Sequence, residues 1–395
     1  MTEAYDLIVL GAGVIGCSTA WHAARLGAKR VLVIERNGIA EGTSSQSSGI
    51  LRTHYSVPEN VDLARRSYAA FAGLRDYLGD PEADCGLVVC GYLVVGDAGA
   101  RSEAIRASLA RQRALGIDAV EIDAAQAREI LPLLRTDDLA TFGYEAAAGH
   151  ADPYLTATAF ARAARRLGVA FHLGETVTDL AVDGARVTGV RTDRATYAAA
   201  TTVCALNVWS NGLLGRATGL PIPLVAERHE VIALQAQVPY LPRYPVLKDM
   251  ASPSMLYARG YGTSQLLVSA GLEGQPTSPD EQQADVSLDV VADVGAQAAH
   301  RLPAFETAGV ASTWTGLYDV TPDWNPVLGP LPGWEGLVVA FGFSGHGFKL
   351  SPEVGRLLAQ AALGLATDVP LAPYRYERFA EGALLAGLYG KGAVS

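Results

Sequence analysis

The chain has 395 residues, 49% hydrophobic and 18% charged, which is enough apolar material to bury a sizeable core and argues against disorder. Lys and Arg number 31 against 41 Asp and Glu, so the net charge of −10 supplies no basic field for nucleic acid or anionic lipid. No stretch reaches the roughly 18–20 uninterrupted apolar residues of a membrane span, and the four scattered cysteines, Cys17, Cys85, Cys90 and Cys204, match neither a CxxC pair nor a zinc pattern.

A length of this order predicts two domains. The opening MTEAYDLIVLGAG carries acids and no basic n-region, so it predicts no secretory signal, and the expected setting is a soluble protein in a reducing cytoplasm without a metal site. Residues 5–10 are apolar without alternation, as in a parallel strand buried on both faces. Val14, Cys17, Trp21 and Ala24 then recur at helical spacing, Gly27 ends the helix, and 31–34 form a second strand.

Gly11, Gly13 and Gly16 make a GxGxxG at the strand–helix junction. The first permits the turn, the second lets a pyrophosphate reach the backbone, and the third allows close helix packing, with Val14 and Ile15 at the positive helix end. Glu35, followed by Arg36, closes the second strand about twenty residues on, where an acid can accept from a ribose hydroxyl. Strand, glycines and acid together predict a dinucleotide cradle.

An NAD enzyme would continue with alternating strands and helices. This chain enters RNGIAEGTSSQSSGILRTHYS instead, whose Thr43, Ser44, Ser47, Ser48 and Gly49 offer small donors to a pyrophosphate and leave room for a ring system. FAD is therefore favoured over NAD, a long surface loop being the alternative. Residues 61–78 predict a helix with Tyr68, Phe71, Leu74 and Leu78 in the core, and 85–145 place short apolar runs around a charged helix near 100–130. Asp152 and Pro153 predict a helix start, Asp183-Gly184 a hairpin turn, and Asn207 a position that tolerates a left-handed backbone. Near the C-terminus, GFSGHGFKL carries Gly342, Ser344, Gly345, His346, Gly347, Phe348 and Lys349, with Ser351 and Pro352 expected to open a helix behind them.

Four features together, GAGVIG with Glu35, SSQSSGILR, TGLYDVTPDWNPVLGPLPG and GFSGHGFKLSPEVGRLLA, resemble the D-amino-acid oxidase superfamily of flavoproteins, in the branch of glycine oxidase, sarcosine oxidase and dimethylglycine dehydrogenase. The resemblance implies an α/β fold: a Rossmann-like FAD-binding domain from 1–84, 146–219 and 326–395, interleaved with a substrate domain on a mostly antiparallel sheet from 85–145 and 220–325. It implies that the C-terminal glycine loop lies against the flavin, that a backbone group of Val177 contacts the adenine, and that Asn207 stands where the family has glycine. Arg52, in an R-x-x-Y with Tyr55, and Lys349 are the implied carboxylate clamp. Tyr257 and Tyr318 match aromatic positions around the substrate, or are packed core residues. His54 could serve as a base, although hydride transfer from a neutral amine needs none, and His346 either polarises the flavin edge or satisfies its own loop.

The residues that tether flavin covalently in relatives would fall at Gly316 and near Gln46, so the implied FAD is non-covalent. The lysine that promotes reaction with oxygen in sarcosine oxidases would fall in 264–271, which contains none, leaving oxygen or another acceptor open. The implied activity is oxidation of the C–N bond of a small amino acid or secondary amine, sarcosine-, glycine- or proline-like, to an imine. A flavin subunit without its own catalysis, in an oligomer or a heteromeric complex, is the alternative.

Overall fold

The computed structural model describes residues 4–235, 243–271, 274–280 and 285–388. An eight-stranded sheet grows around the first strand, Ala4–Leu10, which pairs in parallel with Val31–Glu35 on one side and Thr196–Cys204 on the other. Ala170–Leu173 and Leu337–Phe341 extend the parallel set outward, and the hairpin Val177–Asp183/Arg186–Thr192 turns through Gly184 at φ 58°. Leu7 to Leu10 are fully buried, as a central parallel strand covered on both faces requires.

Three helices, Val14–Arg25, Pro153–Arg166 and Gly347–Ala362, cover one face of this sheet. The first and last approach each other closely because Gly355 has no side chain: a Cβ there would come within 2.1 Å of Ser18 Oγ. The middle helix starts as its sequence predicts, with the Asp152 carboxylate accepting from Leu155 N at 2.9 Å and Pro153 in the first turn.

Among the described residues the second sheet has nine strands. Its spine is the long antiparallel pair Val225–Gln235 and Gly309–Val320, and it continues through Gln265–Ser269, Tyr257–Tyr261 and Val246–Asp249 to Tyr92–Gly96, Thr141–Glu145 and Ala119–Ile122. All of these pairings are antiparallel except Val246–Asp249 with Tyr92–Gly96. Chain from 85–145 and from 220–325 thus meets in one sheet. Among the described residues no helix is long and apolar enough to cross a membrane, and no cluster of His, Cys, Asp and Glu could hold a metal. The four cysteines are buried free thiols.

Three local expectations change. The helix expected over 61–78 is two, Pro58–Ala72 and Leu74–Leu78, parted at Gly73, although Phe71, Leu74 and Leu78 are buried. The charged helix near 100–130 is also two, Ala100–Ala114 and Ala124–Ile130, with Ala119–Ile122 as an edge strand between them. The Asp123/Gln126 capping box starts the second of these independently. Ser351 caps nothing: the last long helix begins at Gly347, and Ser351 is buried in its second turn with Pro352 beside it.

The C-terminal segment is tied to the turn after Gly309–Val320 by a buried bidentate pair, Arg378 Nε to Asp323 Oδ2 at 2.8 Å and Nη2 to Oδ1 at 2.9 Å. Both side chains are out of solvent, so removing one partner strands a charge. Arg378→Met is expected to lower unfolding free energy by about 3–5 kcal/mol, read from chemical-denaturation midpoints, with Asp323→Asn destabilising in the same direction.

Candidate active site

The parallel strands end together, and a cleft of about 820 Å³ lies beyond their carboxyl ends, within the range of a cofactor site. Gly11 and Gly13 form one wall. Gly11 has φ 97°, and a Cβ on it would meet Ala205 O at 2.7 Å. Gly16 does not touch the cleft: its missing Cβ would lie 1.9 Å from Gly11 O, so it packs the helix onto the turn. Val14 and Ile15 begin that helix at the cleft, and Ser44 Oγ accepts from Val14 N at 3.1 Å.

Glu35 braces the same turn. Its Oε2 accepts from Ala12 N and its Oε1 from Asn37 N, both at 2.9 Å. Arg36 stacks over Trp209 at 4.1 Å and pairs with Asp280 at 3.2 Å, at the end of the cleft that Val177 also lines. Thr43, Ser44 and Ser47 line the floor. Ser48 faces the smaller cavity described below, whereas Gly49 lines neither and turns the chain at φ 68° against Ala151 O. Asn207 lines the cleft with φ 53°, the left-handed backbone its sequence position predicts.

At the far end the cleft meets Tyr318, Gly345, Gly347 and Phe348. Gly345 has φ 86°, and a Cβ there would penetrate the Tyr318 ring at 2.2 Å. Gly342 and Ser344 lie behind this surface: Gly342 N donates to Asp319 Oδ2 at 2.6 Å, and Ser344, itself left-handed at φ 49°, bonds through its amide to Asp319 O at 3.1 Å. Burial pushes the Asp319 carboxyl up to about 6 despite the amides of Phe343 and Gly342 that bond to it. His346 is likewise behind the wall, with burial lowering it to about 3 and Nε2 against Trp324 O at 2.9 Å, so its ring joins the glycine loop to the turn around Trp324.

A second cavity, about 50 Å³, adjoins the cleft and shares Ser47, Tyr318, Gly345 and Phe348 with it. Arg52 and Lys349, 297 positions apart in the chain, both line it and are only 3% and 7% exposed. The Arg52 guanidinium lies over Tyr55 at 4.6 Å and Tyr92 at 5.5 Å. Burial, then Arg52, holds Lys349 well below the usual lysine range. Tyr257 and Tyr318 line the cavity and hydrogen-bond to each other, and burial raises the Tyr318 phenol well above its ordinary value. Tyr318 also stacks on His229, centroids 3.8 Å apart.

His54 is placed elsewhere. It lines neither cavity, is 2% exposed, faces Ser108 Oγ at 3.2 Å, and is lowered by burial to about 3. A neutral imidazole walled off from the cavity is a packing group rather than a base. The polar lining residues that escaped the sequence reading include His229, and Lys248, which reaches the cavity from the strand beside 257–261. A lone lysine inside the apolar run PVLKDM was the available signal for the second.

The cradle fits FAD. Bare glycine backbone faces the cleft near one end, and Gly345 and Gly347 leave the other end free of side chains at those positions, as a dinucleotide with a ring system needs. A family model described as DAO, FAD dependent oxidoreductase, matches residues 6–361. FAD-dependent oxidoreductase domain-containing protein 1 of Bos taurus is 30% identical over 95% of this chain and 85% of its own length. Human mitochondrial sarcosine dehydrogenase is 25% identical over 95% of this chain, which spans only 41% of that relative. The crystal structure of glycine oxidase from Geobacillus kaustophilus superposes with a TM-score of 0.83 at 27% identity, covering 95% of this chain and 98% of that one. Since the match runs from the first glycine turn through the helix behind Gly345, the chain belongs to the DAO family of FAD-dependent oxidoreductases.

Proposed function

We propose that the chain oxidises the C–N bond of a small amino acid or secondary amine, of the sarcosine, glycine or proline kind, with the cleft holding FAD and the small cavity holding the substrate. The observation that carries this reading is the junction of the two spaces at Tyr318, Gly345 and Phe348, with two buried cations on the far wall. The names of the relatives, sarcosine dehydrogenase and glycine oxidase, support the substrate class.

FAD supplies the acceptor for two electrons and a hydrogen from the amine carbon. The remaining work belongs to the side chains. Gly11, Gly13, Val14, Ile15 and Ser44 would receive the pyrophosphate, Glu35 with Arg36 the ribose side, and Val177 the adenine; Gly345 and Gly347 would bring backbone against the ring. Gly342, Ser344, His346, Ser48 and Gly49 support those surfaces from behind or alongside. Arg52 offers a fork to the substrate carboxylate and Lys349 a point charge from the opposite side. With both on one carboxylate, the adjoining carbon is directed toward the cleft and the Tyr257 and Tyr318 hydroxyls close the site to water. Gln46 and Gly316 face each other across the cleft wall without a nucleophile, which favours non-covalent FAD.

The test is anaerobic mixing of the purified yellow protein with sarcosine, glycine and proline. Bleaching of the flavin band by at least one of them is the expected result. A flavin-loaded chain that no amine bleaches is instead an electron-relay or structural subunit.

A further inference from the structure

The small cavity holds one more cation than a single carboxylate needs. Lys248 lies opposite Tyr257 in the antiparallel pair of Val246–Asp249 with Tyr257–Tyr261, is 5% exposed, and donates from Nζ to Met255 O at 2.8 Å. Its head group occupies the space a side chain at Gly271 would take, since a Cβ there would be 2.2 Å from Nζ. Lys248, Arg52 and Lys349 therefore converge from three separate segments on one enclosed space.

Among the described residues, the nearby carboxylates are committed elsewhere. Asp249 points to the other face of its strand, taking Arg301 at 2.8 Å and the amides of Ala251 and Ser252. Glu145 accepts from Thr53 N at 2.9 Å, from Thr53 Oγ1, and from His54 N at 3.1 Å. Neither lines the cavity, and neither lysine has an ion-pair partner among the described residues. Buried cations are tolerated where an anion completes them. Burial, then Arg52, lowers Lys248 to about 7, so an arriving anion both meets positive charge and draws a proton onto the amine.

We propose that the substrate is an amine bearing two acid groups, the first carboxylate held between Arg52 and Lys349 and the second by Lys248. This rests on the small cavity being the substrate site. A monocarboxylate such as sarcosine leaves Lys248 without an anion, whereas aspartate or iminodiacetate supplies one.

The test titrates the flavin-loaded protein with acetate and with malonate, which cannot be oxidised at a C–N bond, and follows the perturbation of the flavin spectrum. Malonate is expected to bind roughly tenfold or more tightly than acetate, the size of one charge-assisted contact, and the ratio is expected to fall to about one in Lys248→Met. In the wild-type protein alone, aspartate or iminodiacetate should reduce the flavin anaerobically with a second-order reduction rate constant roughly tenfold above that of sarcosine. Equal affinities for acetate and malonate, with bleaching by sarcosine intact, overturn the second carboxylate and leave the amine-oxidising function standing. No spectral response to either acid, together with no bleaching by any amine, overturns the function itself and the diacid with it.

Discussion

Lys349→Met is expected to leave the flavin content of the purified protein unchanged and to weaken binding of a carboxylate ligand by roughly 10- to 100-fold. The substitution removes one buried charge-assisted hydrogen bond. Methionine keeps the length and apolar stem of lysine, so the helix starting at Gly347 retains its packing against the small cavity. Lys349 lies in the first turn of that helix and lines the small cavity but not the cleft, so its contribution to the dinucleotide cradle is correspondingly small. Loss of flavin in this variant would mean that the lysine supports the ring rather than the substrate. The readouts are the ratio of flavin to protein absorbance and an equilibrium titration with acetate.

Gly16→Ala is expected to act in the opposite way, reducing FAD affinity by roughly 10- to 100-fold through overpacking. A Cβ at this position would lie 1.9 Å from Gly11 O and 3.0 Å from Gly11 C, both backbone atoms that no side-chain rotation can clear. Either the helix Val14–Arg25 retreats from the strand or the turn opens, and each outcome moves the amides of Val14 and Ile15 away from the pyrophosphate position. Because Gly16 touches neither cavity, the effect travels entirely through the turn. Isothermal titration of apoprotein with FAD measures it, and a wild-type dissociation constant in the variant would show that the turn absorbs the methyl group.

The parts of this molecule that the chain spells out locally were legible in it. Ala4–Leu10, the three glycines and Glu35 follow one another within a single unit, and strand period, turn chemistry and terminal acid all point the same way. Asp152 and Asn207 were legible for the same reason, each deciding its own backbone. Ser351 misled because Ser-Pro-Glu has the composition of a helix start, while the actual start is set by burial: Gly347 to Leu350 continue as helix because Phe348 and Leu350 pack inward. His54 misled because proximity in sequence to Arg52 says nothing about which side of the chain it faces; it turns toward Ser108. Lys248 was hidden for a topological reason. Its strand reaches the cavity only through pairing with Tyr92–Gly96, more than 150 residues earlier, and with Tyr257–Tyr261, and neither pairing is visible from spacing.

The lining of the small cavity was less legible. Arg52 comes from the loop after Ile50–Leu51, Lys349 from the last long helix, and Tyr257 and Tyr318 from two strands of the second sheet. Each has an ordinary structural use when read alone. Only the fold brings these four side chains together around one cavity beside Gly345, where the larger cleft ends.

A crystal structure of the FAD-loaded protein soaked with acetate tests that convergence most directly. The account predicts the flavin ring against Gly345 and Phe348, and the acetate carboxylate between Arg52 and Lys349 on the ring's substrate side. A ring seated away from Gly345, or a carboxylate that leaves both cations untouched, would contradict it.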